Sequence, residues 1–274
     1  MNSLETVLPL ALMMLATGVA GGLLAGLFGV GGGIVIVPVL DIALGVAGVD
    51  PAIRMHVAVA TSLATIIPTS IASSRAHHGR GAVDIALVRR WAPFILLGVL
   101  LGTWLASLVD SQVLTAIFGS VALLVAIKMV LPLDDVNLAQ DVPKGPLAAL
   151  LPASIGCISS MMGIGGGTLG VPILTLLNQA VHRAVGTAAL LGLVISIPAT
   201  VAYIWAGWGD VRLPPASLGY VNVLGFVLIA SMTVLVAPWG VKLAHRLSKR
   251  TLSSLFGLFL LLVGARMLFR AFTG

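Results

Sequence analysis

A glycine-rich phrase is written twice in this chain, once in each half, and each time inside apolar sequence. Residues 26–40 read GLFGVGGGIVIVPVL and residues 160–174 read SMMGIGGGTLGVPIL. At one constant offset Gly29, Gly31, Gly32, Gly33, Val37, Pro38 and Leu40 fall on Gly163, Gly165, Gly166, Gly167, Val171, Pro172 and Leu174. Three adjacent glycines oppose helix formation, since each costs roughly 1 kcal/mol relative to Ala in a helix interior. In hydrocarbon, the backbone groups freed by such a break must be buried in protein or line a wet cavity. A duplicated helix break at membrane depth marks a secondary transporter.

Composition places both phrases in a membrane. Hydrophobic residues make up 59% of the chain and charged residues 9%, against about 25% charged in soluble domains; mean hydropathy is +1.13. The 274 residues supply at most ~13 spans of about 20 residues. That leaves a single functional domain inside the bundle. The net charge of +6 sits in a few short loops, a topological signal, and no aromatic-plus-basic array calls for nucleic acid. The lone Cys157 excludes an intrachain disulfide and a cysteine metal cluster. The start, MNSLETVLPLALMML, has Glu5 and no basic residue ahead of its apolar run. It reads as a first membrane segment and not as a cleaved signal.

Apolar runs fall at roughly 7–28, 33–47, 55–74, 91–109 and 112–131, and again at 147–163, 168–178, 184–206, 217–237 and 251–270. Between the sets lies a polar stretch with Asp134, Asp135, Asp141 and Lys144, flanked by Pro132, Pro143 and Pro146. The expected organisation is an N-terminal membrane repeat at 1–131, a cytoplasmic linker at 132–146 and a C-terminal repeat at 147–274. Two more blocks support duplication: His56 to Thr61 matches His182 to Thr187 as H-x-A-V-[AG]-T, and residues 114–129 match 252–267, with Lys128 opposite Arg266. Charge sets the orientation. Arg75, Arg80, Arg89 and Arg90 crowd one loop of the first half, whose counterpart holds only Asp210 and Arg212; the next loop holds Asp110 alone, and its counterpart holds Lys242, Arg246, Lys249 and Arg250. Short basic loops stay in the cytoplasm, so equivalent loops lie on opposite faces. The fold class is therefore an all-α integral membrane protein of two inverted repeats, each with four to five transmembrane or re-entrant segments. Both termini are expected outside. The runs at 33–47 and 168–178 are short for a ~30 Å core, which favours partial penetration.

The candidate binding residues cluster around the repeats. Consecutive backbone N–H groups in a glycine turn form a concave nest for anions, and the following helix start adds positive partial charge. This makes Gly31, Gly32, Gly33, Gly165, Gly166 and Gly167 substrate-binding candidates, with close helix packing as the alternative role. Pro38 and Pro172, five residues on, free a backbone carbonyl in each half. His56 and His182 begin the third segments beside Arg54 and Arg183. As ionisable groups at membrane depth they are candidates for substrate or proton contact, or else for anchoring helix ends. Thr61, Ser62 and Thr187 offer hydroxyls that bind substrate or bond back to their own helix. Asp41, an acid well inside an apolar run, is a candidate for proton coupling together with His56 and His182. Lys128 and Arg266 are read as snorkelling to the interface. No Ser-His-Asp order, HExxH, CxxC or P-loop occurs; the chain is read as no enzyme, with no metal and no cofactor.

The paired GxGGG…VP phrases and the following HxAV(A/G)T blocks resemble the TauE/SafE sulfite exporter family, over about Gly18 to Phe269. The resemblance implies a transporter of small sulfur-containing anions (sulfite, sulfonate, sulfoacetate or thiosulfate) in the cytoplasmic membrane, and its name implies export. With it the expected partners are such an anion and the lipid bilayer, a homo-oligomer being compatible. The mechanism expected is alternating access around the glycine turns. A passive anion channel and a non-transporting membrane scaffold are the alternatives.

Overall fold

The computed structural model describes residues 3–28, 32–130, 146–244 and 249–273. The first half contributes α1 (Ser3–Phe28), α2 (Gly33–Val46), α3 (Pro51–His78), α4 (Ile85–Leu108) and α5 (Ser111–Val130). A short 3-10 turn (Pro146–Ala149) leads into the second half: α6 (Leu150–Met162), α7 (Gly166–Leu176), α8 (Val181–Ala206), α9 (Val223–Ala244) and α10 (Lys249–Thr273). The fold is that of an α-helical membrane protein. Helices α3, α4, α5, α8 and α9 are each long and apolar enough to cross a bilayer. The linker expected at 132–146 lies almost wholly outside the described residues.

The helix starts follow from local chemistry. Asp50 caps α3 by accepting the Ala52 amide at 2.9 Å, with Pro51 in the first turn, a position where its missing N–H costs nothing. Asp84 caps α4 through the Leu87 amide at 2.9 Å, and Asn222 accepts the Gly225 amide at 2.7 Å at the start of α9. Helices α2 and α7 have no side-chain cap. With 14 and 11 residues they extend roughly 21 and 16 Å at 1.5 Å per residue, short of the ~30 Å hydrocarbon thickness.

Packing crosses between the halves. Helix α1 lies along α9, α4 along α6, α5 along α10, and α3 along α8. Small residues set these approaches: Gly18 and Gly22 meet α9 at Ile229 and Thr233, Gly98 and Gly102 meet the α6 backbone at Ala153 and Cys157, and Gly119 meets Gly264. A side chain at any of them would push the helices apart. This is how helices associate where lipid supplies no hydrophobic drive. Helices α3 and α8 are the most buried of the spanning set, and each carries its half's short helix, α2 on α3 and α7 on α8.

The all-helical expectation has one small exception. Between α8 and α9 the chain folds back as β1 (Ser217–Leu218) paired antiparallel with β2 (Val221–Asn222). Gly219 turns the ribbon at φ +53° and rests on the Ile204 backbone. A two-residue ribbon leaves no periodicity for the sequence to show.

Candidate functional site

The two glycine phrases meet. Gly32 stands before α2 at φ +77°, and Gly163 ends α6 at φ +68°, a left-handed conformation that glycine alone adopts without steric cost. Gly31 lies outside the described residues. A Cβ on Gly33 would sit 2.6 Å from the Gly163 carbonyl oxygen, and one on Gly163 would sit 2.9 Å from Val37 Cγ2. Ser62 of α3 donates to the same Gly163 carbonyl at 2.7 Å. The start of α2, the middle of α3 and the end of α6 thus close on one point. In the second copy Gly165 is extended and Gly166 is the first residue of α7; a Cβ on Gly166 would lie 2.6 Å from the Ala188 carbonyl and 2.7 Å from the Gly192 amide nitrogen. Gly167 is buried in the same turn. Pro38 and Pro172 lie inside α2 and α7, which run on past them.

The charged candidates are not brought to that point. His56 is buried near the start of α3, its Nε2 donating to the Ala106 carbonyl at 2.9 Å and its Nδ1 3.3 Å from Ser111 Oγ. The Ala106 carbonyl can only accept, so Nε2 carries a proton, and the ring ties α3 to the end of α4 and the start of α5. His182 and Arg183 are exposed at the start of α8, and Arg183 pairs with Asp84 at 2.8 Å. Asp84 follows the far end of α3, a helix of 28 residues and roughly 42 Å at 1.5 Å per residue. The two histidines therefore occupy opposite ends of the central pair. Arg54 lies against Gly45, its Nε 3.2 Å from Asp41 Oδ1. Arg270 of α10 grips the other oxygen of the same buried carboxylate.

The paired threonines make matching bonds between the halves. Thr61 of α3 accepts the Asn222 amide at 2.9 Å just before α9. Thr187 of α8 accepts the Asp84 amide at 3.0 Å just before α4. Lys128 of α5 donates to the Pro172 carbonyl of α7 at 3.0 Å, so it reaches a short helix of the other half. Arg270, four residues past the repeat counterpart of Lys128, reaches from α10 to Asp41 of α2.

Among the described residues, four buried side-chain hydroxyls have no partner within the protein: Ser159, Thr168, Ser196 and Thr200. Sequence reading passed over all four, because a serine in an apolar helix gives no sign of whether its neighbours offer an acceptor. In the loop between α8 and α9, Arg212 holds Asp210 bidentately at 2.9 and 2.7 Å, and that hydrogen bonding pulls the Asp210 carboxyl down to about 2.

Comparison with known proteins bears on what this arrangement does. The family model described as Sulfite exporter TauE/SafE matches residues 14–267. A probable membrane transporter protein of Haemophilus influenzae is 35% identical over 259 residues, covering 93% of this chain and 97% of its own length. Probable membrane transporter proteins of Methanocaldococcus jannaschii and Bacillus subtilis are 26% and 24% identical, covering 93% and 94% of this chain and 94% and 97% of theirs. No solved structure matches.

Proposed function

Because the chain belongs to the sulfite exporter TauE/SafE family, a family of membrane transporters, we propose that it carries small sulfur-containing anions across the cytoplasmic membrane by alternating access. The observation that carries the reading is the junction of the two glycine breaks. Gly33 abuts the Gly163 carbonyl, Ser62 bridges to it, and α2 and α7 start nearby in the chain without side-chain caps. Uncapped helix starts present N–H donors and positive partial charge, which suit an anion.

Reciprocal contacts support two inverted repeats. The Thr61–Asn222 and Thr187–Asp84 bonds exchange equivalent positions between halves, and the α1–α9 and α4–α6 pairings do the same. The start of α8 lies against the end of α3 at Gly186 and His77, while Tyr220, beyond the end of α8, faces His56 at 5.2 Å near the start of α3. In this reading α2 and α7 enter from opposite faces without crossing, and one repeat rocks against the other around their meeting point. Arg183 and His182 greet the anion at one entrance. Asp41, held between Arg54 and Arg270, clamps α2 to α3 and α10. A solute or ion gradient drives transport, in the export direction that the family's description names.

Counterflow in proteoliposomes tests this. External sulfonate is expected to accelerate exit of labelled internal sulfonate with saturation. Gly33→Val and Gly166→Val proteins that stay monodisperse are expected to lose the exchange. Flux that external substrate does not accelerate would mean a pore; wild-type silence with sulfite, sulfonates and thiosulfate would sink the substrate class.

A further inference from the structure

The partnerless hydroxyls point to a particular kind of substrate contact. Ser196, Thr200 and Tyr203 stand at i, i+4 and i+7 on α8 and so share one face. Tyr203 donates its hydroxyl to the Ser160 carbonyl at 3.2 Å, which sets this face against the end of α6, where Ser159 is fully buried. One turn before Ser196, Gly192 abuts the start of α7: its missing Cβ would lie 2.6 Å from Ser70 Oγ and 3.6 Å from the Gly166 amide nitrogen. Thr168, 3% exposed, belongs to that first uncapped turn of α7. Ser196 is fully buried and Thr200 is 7% exposed. A buried hydroxyl without a partner is normally selected against, and Ser196 and Thr200 on one face of α8, with Ser159 at the end of α6 that this face meets, call for an acceptor that the protein itself does not supply.

The charge inventory narrows what that acceptor is. Helices α6 and α7 contain no Lys, Arg, His, Asp or Glu, and neither does α8 beyond Arg183. Lys128 reaches α7 at the Pro172 carbonyl, one turn past Thr168 and beyond the Ser196–Thr200 face. The donors at the junction are neutral. Removing an ion from water costs energy that grows with the square of its charge, about fourfold more for a dianion than for a monoanion of equal size. Neutral donors therefore suit an oxygen-rich head with a single negative charge. The first half lacks the full set: at the repeat offsets Ser196 and Thr200 fall on Ser70 and Ser74, but Ser159 falls on Ala25.

We propose that Ser159, Ser196 and Thr200 form one cation-free subsite for the singly charged oxyanion head of the substrate, a sulfonate or hydrogensulfite group. The subsite rests on the transporter reading and narrows it. It belongs to the second half alone, so each molecule holds one anion and the repeats are unequal in function.

Counterflow of labelled methanesulfonate, with Tm of the purified protein, tests the subsite. Ser159→Ala, Ser196→Ala and Thr200→Val are each expected to raise KM tenfold or more while Tm stays level or rises, since each deletes an unsatisfied buried hydroxyl. Ser74→Ala, whose hydroxyl already bonds the Ile71 carbonyl at 3.3 Å, is expected to leave KM unchanged. Sulfate, a dianion, is expected not to compete. Wild-type exchange with unchanged KM in all three variants would overturn the subsite and leave the transporter standing. Competition by sulfate equal to that by methanesulfonate, or a fall in Tm that tracks the rise in KM, would also overturn it. Wild-type silence with every anion would overturn the transporter reading and the subsite together.

Discussion

At the scale of single residues, Asp41 shows how an ion inside an apolar segment is made tolerable. Its carboxylate is buried, with Arg54 on one oxygen and Arg270 on the other. Two cations on one anion leave a positive surplus, and Arg270, a third exposed, is placed to share it with solvent. Asp41→Asn would leave Arg54 largely buried and unpaired. Breaking a fully buried pair costs ~3–5 kcal/mol; discounting for the exposure of Arg270, the expected loss is about 2 kcal/mol. Arg270→Gln should cost less than half of that, because Arg54 remains. Thermal unfolding of the purified variants checks the order, and a larger loss in Arg270→Gln would show that the outer arginine anchors the cluster. The sequence singled out Asp41 and Arg54 as separate candidates for coupling and binding. Their mutual contact joins residues 13 apart, but the Arg270 contact spans 229 positions, a distance across which no local pattern carries information.

Elements divide into those with strong local signals and those that depend on packing. The glycine breaks and the short α2 and α7 were legible, because glycine runs act within a few residues; the apolar runs at 55–74 and 91–109 started short of Pro51 and Ile85, since the first turns after the capping aspartates are not apolar throughout. What α3 and α8 do with their polar groups was not, since it depends on which neighbour supplies an acceptor. Thr61 and Thr187 read as substrate hydroxyls or self-bonded ones, and what the structure shows is that they accept amides from the opposite half. His56 and His182 read as a matched pair, yet one is buried and bonded while the other is exposed. The breaks themselves are junctions between elements, and this yields a contrast. At Gly33 a Cβ would meet a backbone oxygen at 2.6 Å, so α2, α3 and α6 would have to part; at Gly79 the nearest atom is 3.6 Å away. Gly33→Ala is expected to cost about 1–3 kcal/mol through overpacking, and Gly79→Ala to stay within about 0.5 kcal/mol. Equal Tm values for the two would mean that the junction yields without strain.

For the whole molecule, composition decided the membrane setting, while inversion was inferred from where the basic residues fall. The two loops that would lie on opposite faces make the inversion testable. If α3 and α8 run in opposite senses, the loop from α3 to α4 and the loop from α8 to α9 emerge on opposite faces. Arg80 is exposed in the first, and Val211 is 97% exposed in the second. The first loop is basic and should stay in the cytoplasm; in the second, Arg212 is neutralised by Asp210. Arg80→Cys and Val211→Cys, each in a Cys157→Ser background, separate the possibilities with a membrane-impermeant maleimide. Val211→Cys is expected to react in right-side-out vesicles and Arg80→Cys in inside-out vesicles. Reaction of both from one side would remove the inverted repeat, and with it the symmetry on which alternating access by rocking depends. A clean exchange of sides would keep the inversion, turn the molecule over in the bilayer, and place Arg183 at the outer entrance.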